Sequence, residues 1–131
     1  MKKVAMLATL GLLMGAAPAL AHHPFASEFD AQAPVSLSGT VAKVDWNDPH
    51  VVIHVNVKDN SGQMRMWNME AGSPVEMTRN GWSNGTLKEG EQITVHGYRA
   101  KSEPFTAAAR MIEFSDGKKL TSGANDGGPQ Q

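Results

Sequence analysis

The chain has 131 residues, no cysteine and a formal net charge of −1 with its histidines neutral. This length is enough for one domain, and the lack of cysteine excludes disulfide bonds and thiolate metal sites. The near-neutral charge argues against nucleic acid as a ligand, because such binding depends on clustered lysine and arginine side chains.

The beginning of the chain is predicted to be a cleaved signal peptide, residues 1–21. Two lysines precede an apolar run, residues 4–17, that is too short to span a bilayer. The Ala-Leu-Ala sequence at residues 19–21 is typical of a signal peptidase site. We therefore expect a soluble periplasmic or secreted product with no membrane span after processing. The alternative is an uncleaved anchor.

A loop-like arm, residues 22–34, is predicted to follow, and the chain then alternates between apolar and polar residues as β-strands do. In VSLSGTVAKVDW the alternation changes phase before Val44, which predicts a bulge or bend, with Gly39 as its expected position. The strand in HVVIHVNVKD is followed by the turn DNSG and a returning strand, QMRMWNME. The residues predicted to share one face of the first of these two strands are Val51, Ile53, Val55 and Val57.

The segment SPVEMTRNGW breaks the alternation and predicts a helix of about two turns. Ser73 lies three residues before Glu76, which is the spacing of a capping box, and Pro74 suits the first helical position. The apolar side chains expected to pack this helix against the sheet are Val75, Met77 and Trp82.

Two further strands are predicted, QITVHGYRA and about residues 105–114, before a tail, residues 121–131. The tail is rich in Gly, Asn and Gln and is predicted to be disordered. Three strands, a short helix and two strands are the element order of the OB-fold. We therefore expect an all-β domain, residues 35–120, with one short helix and a five-stranded Greek-key barrel. Another small antiparallel barrel or a half-open sandwich is the alternative.

Four motifs are spread over the chain after the predicted leader: HHPF, WNDPH, the helix that begins with Ser-Pro and ends in RNGW, and LKEGEQITVHG. With these motifs the chain resembles the DUF6152 family, small exported bacterial proteins of unknown function. It departs from the family pattern at Pro24, where the family has serine, and at Asp48, where it has asparagine. The resemblance implies export and the fold, but no established activity or catalytic residue.

The histidines are the main candidates for a metal site. If the leader is removed, the new terminal amine of His22 lies beside its own imidazole, and copper prefers such nitrogen ligands. Further ligands are expected from His23, His50 or His54 if the arm folds back over the domain. The alternative is that the first two of these histidines are only a polar spacer before the first strand.

A candidate ligand face is predicted around the loop WNDPH. Asp48-Pro49 favours a tight turn that presents His50 beside Trp46. Alternatively, this pair only shapes the turn and the tryptophan packs against the domain. The residues predicted to contact a ligand on this face are Trp46, Asp48, Asn56 and Trp67.

The sequence contains no cysteine nucleophile, no nucleophile-elbow serine, no phosphate loop and no His-Glu-x-x-His pattern. It therefore predicts a non-enzymatic binding module for copper or another small ligand. A soft-metal site at Met64 and Met66 is a weaker idea, because paired methionines on a strand are more commonly core packing. Two further alternatives remain open. One is an accessory or cofactor-handling subunit that binds an extracytoplasmic protein, and the other is a binder of oligosaccharides or oligonucleotides.

Overall fold

The computed structural model describes residues 23–130, so the predicted signal peptide and His22 lie outside the described residues. The fold is mostly β with little helix. None of the described helices is long and apolar enough to cross a membrane. The elements in chain order are α1 (Phe25–Glu28), β1 (Phe29–Asp45), β2 (Val52–Lys58), β3 (Met64–Glu70), α2 (Pro74–Arg79), β4 (Gln92–Ala100), β5 (Thr106–Phe114) and β6 (Lys119–Thr121).

The strands form one sheet in the order β3-β2-β1-β4-β5-β6, and neighbours in this order are antiparallel. In addition, β3 pairs in parallel with β5 from Asn68 opposite Thr106 to Glu70 opposite Ala108. Each strand from β1 to β5 therefore pairs with at least two others. The expected order of three strands, a helix and two strands is confirmed, and β6 is an addition that the sequence pattern did not predict.

The long first strand changes partners along its length, pairing with β4 through its first part and with β2 through its last part. Its register with β2 shifts between Val41 and Lys43, which confirms the predicted change of phase before Val44. Gly39 is not the position of this shift. Instead, a Cβ at Gly39 would collide with the carbonyl oxygen of Asn56, so glycine allows the two strands to approach each other there.

Alternation correctly predicts the inner face of β2, since Val51, Ile53, Val55 and Val57 are all buried. At the hairpin turn the Asp59 carboxylate accepts hydrogen bonds from the Ser61 hydroxyl and from the amides of Ser61 and Gln63. These bonds, with that of the Ser61 hydroxyl as the largest contribution, lower the pKa of Asp59 to about 2. The turn is therefore held by an ionised side chain.

The capping box of α2 is confirmed. The Ser73 hydroxyl accepts from the Glu76 amide at 3.2 Å, and the Glu76 carboxylate accepts from the Ser73 amide at 2.8 Å. Met77 and Trp82 are buried as expected, whereas Val75 is 58% exposed. The prediction for Val75 was wrong because two residues along a helix are about 200° apart, so Val75 and Met77 lie on opposite sides.

The two ends of the described chain are more ordered than the sequence predicts. The arm, residues 22–34, was expected to be a loop, but it contains α1 and the first residues of β1. The tail, residues 121–131, was expected to be disordered, yet Ser122, Gly123 and Ala124 are buried. The Ser122 amide donates to the Arg110 carbonyl at 2.8 Å, and the Trp82 indole donates to the Thr121 carbonyl at 2.8 Å.

The buried apolar residues form two clusters. The larger one lies against the buried face of the sheet and includes the buried residues of β2, β4 and β5 on that face, together with Met77 and Trp82. The smaller one lies under the arm and consists of Phe25, Phe29, Ala100 and Ala108, with Tyr98 packed against it. The second cluster fixes the arm to the outside of β4 and β5, and this brings the arm close to the end of β3.

Candidate functional site

The structure does not gather the predicted site residues on one face. His22 lies outside the described residues, and His23 is exposed at the start of the arm. Trp46 is half-buried and packs against the larger core cluster, while Asp48 is exposed in the loop between β1 and β2. Asn56 is half-buried in the middle of β2. The four histidines and the ligand face must therefore be considered in separate groups.

His54 is a cross-strand link on the outer face of the sheet. Its Nε2 lies 2.8 Å from a carboxylate oxygen of Asp45 on β1, and its Nδ1 lies 2.8 Å from the amide oxygen of Asn68 on β3. Lys43 completes the group with a contact of 2.7 Å to Asp45. Hydrogen bonds from Lys43 and then from His54 lower the pKa of Asp45. Because both ring nitrogens are hydrogen-bonded to neighbouring strands, His54 is engaged in holding the sheet.

Trp67 was predicted to contact a ligand, but the structure places it in the larger core cluster, where it is 5% exposed. The guanidinium of Arg99 lies 4.9 Å from its ring centroid, and Phe105 packs edge-on at 5.7 Å. The physical reason is the strand period of two, which puts Trp67 on the same side as Met69. The same alternation leaves Met64 and Met66 more than half exposed, so these methionines do not fill the core.

His50 contacts Glu70 at the end of the β2–β3 pair. Its Nδ1 lies 3.0 Å from a carboxylate oxygen of Glu70, and both side chains are mostly buried. Two backbone bonds hold the loop in this position, because the Val51 amide donates to the Gly72 carbonyl and the Ala71 amide donates to the Val51 carbonyl. We name this pair together with the adjoining start of the arm the His50–Glu70 corner.

A cavity of about 340 Å³ adjoins the His50–Glu70 corner. It is lined by residues 27–29 of the arm, by Glu70, and by Ala100 at the end of β4. Residues 102 and 103 of the following loop and Thr106 at the start of β5 complete the lining. Three of the lining residues, Glu28, Glu70 and Glu103, carry carboxylates. The cavity is thus acidic, and its wall is shared by the arm and the sheet.

Burial raises the pKa of the Glu70 carboxyl, and the nearby charges of Glu28 and Asp126 raise it further. His50 and His23 act in the opposite direction and favour the ionised form. His23 is therefore close enough to the corner to affect Glu70 through its charge. Burial and the two like charges disfavour the ionised form of the Glu70 carboxyl, and an added positive charge nearby would stabilise that form.

Comparison with known families identifies the chain. The model of a family of unknown function, DUF6152, matches residues 9–108. The chain belongs to the DUF6152 family. The resemblance expected from the four motifs is confirmed. The match includes His50 and Glu70, whereas Arg110 and the tail lie beyond it. No curated protein and no solved structure matches the chain.

The described part of this DUF6152 protein does not contain a complete metal site. Within residues 23–130, no three His, Cys, Asp or Glu side chains are grouped so that they could hold a metal ion. His50 and Glu70 are in contact, and the charge of His23 acts on Glu70, so these three are the candidate donors at this corner within that range. His22 directly precedes it in the chain.

Sequence reasoning missed the acidic part of this corner in the DUF6152 protein. By alternation, Glu70 shares the outer side of β3 with Met66 and Asn68, and nothing in the strand pattern distinguishes it from a solvated residue. It is half-buried because the arm covers the end of the strand, which is a long-range contact. The motif WNDPH contains His50, but it does not indicate that Glu70 is its partner.

Proposed function

We propose that this protein is an exported, non-enzymatic binding module that holds a copper-type metal ion at the His50–Glu70 corner. The observation that carries the proposal is the pair of His50 Nδ1 and Glu70 Oε1 at 3.0 Å beside an acidic cavity. A carboxylate that bonds one nitrogen of a histidine orients the ring and raises its basicity as a metal ligand.

The arm supplies the remaining donors in this proposal. Removal of the leader after residue 21 gives His22 a free amine next to its imidazole, and His23 follows. With His50 these residues provide the nitrogen ligands that copper prefers in tetragonal geometry. The charge of the metal ion would also stabilise the ionised Glu70, whose pKa burial raises in the metal-free protein.

We further propose that β1 to β5 close into an OB-fold-like Greek-key barrel, with β6 added at the edge. The parallel pairing of β3 with β5 supports this, because β3 is the first strand in the sheet order and β5 is the last before β6, so their pairing closes the row of five strands. OB-folds bind ligands with the loops between strands 1 and 2 and between strands 4 and 5. Here the first of these loops carries His50, and the second lines the cavity.

A second candidate function is an accessory subunit that acts through contacts with another extracytoplasmic protein. It is favoured by Met64 and Met66, which are 57% and 55% exposed on the outer face of the sheet. Methionine side chains adapt well to partner surfaces. The oligosaccharide or oligonucleotide alternative has weaker support, because Trp67 and Trp82 are buried and do not offer their rings for stacking.

The test is a titration of copper(II) into the metal-free chain that begins at His22. Calorimetry measures the affinity and stoichiometry, and electron paramagnetic resonance reports the nitrogen ligands of the bound copper ion. We expect one copper ion per chain with several nitrogen ligands. Replacing His50→Gln, or moving the amine away with an added Gly-Ser-Gly-Ser extension, is expected to weaken binding by roughly tenfold or more. His54→Gln is the matched control, since this histidine is bonded within the sheet.

The controls separate the possible sites. Affinity that survives both the extension and His50→Gln would rule out the corner as the copper site. Loss of affinity with the extension alone would assign the copper ion to the amino terminus without the corner. Weakening by His54→Gln to the same degree would move the site to the outer face of the sheet.

A further inference from the structure

The arm and the tail meet at one buried cation, the guanidinium of Arg110 on β5. Arg110 is 1% exposed. Its Nη1 donates to the Ala124 carbonyl at 2.9 Å, and its Nη2 donates to the Asp126 carboxylate at 2.8 Å. The same guanidinium lies 4.8 Å from the ring centroid of Phe25 in α1. One buried charge therefore contacts the tail on one side and the arm on the other.

Arg110 is buried because the arm and the tail cover this side of β5, next to a bulge in the strand. In the register with β4, His96 pairs with Met111 and Gly97 pairs with Ala109, so Arg110 is the extra residue on β5. A bulge interrupts the alternation of side chains along a strand. Ala107, Ala108, Ala109 and Arg110 are all buried, but on two sides of the strand. Ala107 and Ala109 belong to the larger core cluster, whereas Ala108 and Arg110 lie under the arm, where both are near Phe25. After the bulge, Ile112 returns to the larger cluster.

The tail fits closely around this joint. A Cβ at Gly128 would collide with the Phe25 ring and with Nη2 of Arg110, and a Cβ at Gly123 would lie 2.8 Å from Cδ of Arg110. The backbone amide of Phe25 also donates to the Asp126 carbonyl at 3.0 Å. Asp126 thus bonds the arm through its backbone and Arg110 through its side chain.

We propose that the tail, through Asp126 and Arg110, holds the arm in place and thereby positions His23 at the His50–Glu70 corner. Both are positioning residues, and for its ligand this inference rests on the proposed function. His23 is two residues from Phe25, so release of Phe25 also releases His23. Glu28 of the arm and Glu70 line the same cavity, so the arm held by the tail lies beside the His50–Glu70 corner.

Amide hydrogen exchange of the metal-free chain that begins at His22 tests the positioning directly. In Asp126→Ala we expect residues 25–29 to exchange roughly tenfold faster or more, while the amides of β2 keep their protection, because only the arm opens. Asp116→Ala is the matched control. It removes the same charge from the exposed turn between β5 and β6 and is expected to leave the arm protected.

Gly128→Ala provides a second variant that keeps the buried ion pair chemically intact. Its added methyl group displaces the tail from Phe25, so the arm is again expected to exchange faster. Protection of residues 25–29 that is unchanged in both variants would overturn the inference, whatever the protein binds.

The copper titration then tests the link to the site. A ligand whose binding-competent state is only partly populated binds more weakly in proportion to that population. Both variants that release the arm should therefore bind copper(II) more weakly than wild type and Asp116→Ala. A released arm with wild-type copper affinity would refute the positioning of the site. If wild type binds no copper, the proposed function fails, while the exchange result on the arm stands by itself.

Discussion

Gly97 in β4 offers a sharp test of how closely the strands pack beside the bulge of β5. A Cβ at this position would lie 2.9 Å from the carbonyl carbon of Ala108 and 3.3 Å from Cα of Ala109, and still closer to the Ala108 oxygen. All three are backbone atoms, so no side-chain rotation relieves the overlap. The Gly97→Ala variant must separate β4 from β5 locally.

The expected magnitude follows from this geometry. Overpacking a well-packed interior costs about 1–3 kcal/mol, and we expect Gly97→Ala to cost about 3 kcal/mol because backbone must move. Gly85→Ala is the matched control, since a Cβ there has nothing within 4 Å and the residue does not have a positive φ. At such a site alanine is expected to stabilise the protein by about 0.4–1 kcal/mol through the unfolded state.

Urea unfolding followed by tryptophan fluorescence measures both changes, because Trp67 and Trp82 are buried reporters of the core. A large loss for Gly97→Ala beside a small gain for Gly85→Ala is the expected result. If the two variants unfold at the same urea concentration, β4 and β5 separate without cost, and the argument from close approach is refuted.

Two further predictions concern Glu70 and the cap of α2. Because burial raises the pKa of Glu70 above its ordinary value of 4.5, its contribution to stability is present at lower pH and is lost as pH rises through the raised pKa. The melting temperature of metal-free Glu70→Gln should therefore increase relative to wild type between pH 4 and pH 7, and a relative decrease would contradict the assigned cause. Ser73→Ala removes the acceptor for the Glu76 amide and should cost about 1 kcal/mol in urea unfolding, whereas Ser115→Ala at an exposed position should cost nothing measurable.

Local patterns were sufficient for most of the elements. The predicted strand QITVHGYRA is the observed β4, Gln92–Ala100, and the helix begins at the predicted Pro74. These elements were predictable because alternation and capping are properties of neighbouring residues. The change of phase before Val44 was predictable for the same reason, although the responsible register shift lies after Val41 and not at Gly39.

Burial of polar groups was not predictable, because it depends on segments that are distant in sequence. Arg110 reads as an exposed strand residue until the arm and the tail that cover it are known. The tail reads as disordered by composition, yet its small residues are what allow the backbone to fit against Arg110 and Phe25. Glu70 likewise becomes half-buried because the arm covers the end of β3, which the pattern of its own strand does not indicate. Trp67 was assigned to the ligand face on its chemistry, although the period of its strand places it inside.

The contacts at Arg110 impose an order on the assembly of the molecule. A polypeptide is synthesised from its amino terminus, so Phe25 emerges about a hundred residues before Asp126, which accepts its amide hydrogen bond. Helix α1 cannot make this hydrogen bond until synthesis has passed Asp126. During that interval the first aromatic residues of the arm are exposed, and a chain that stops early leaves them so.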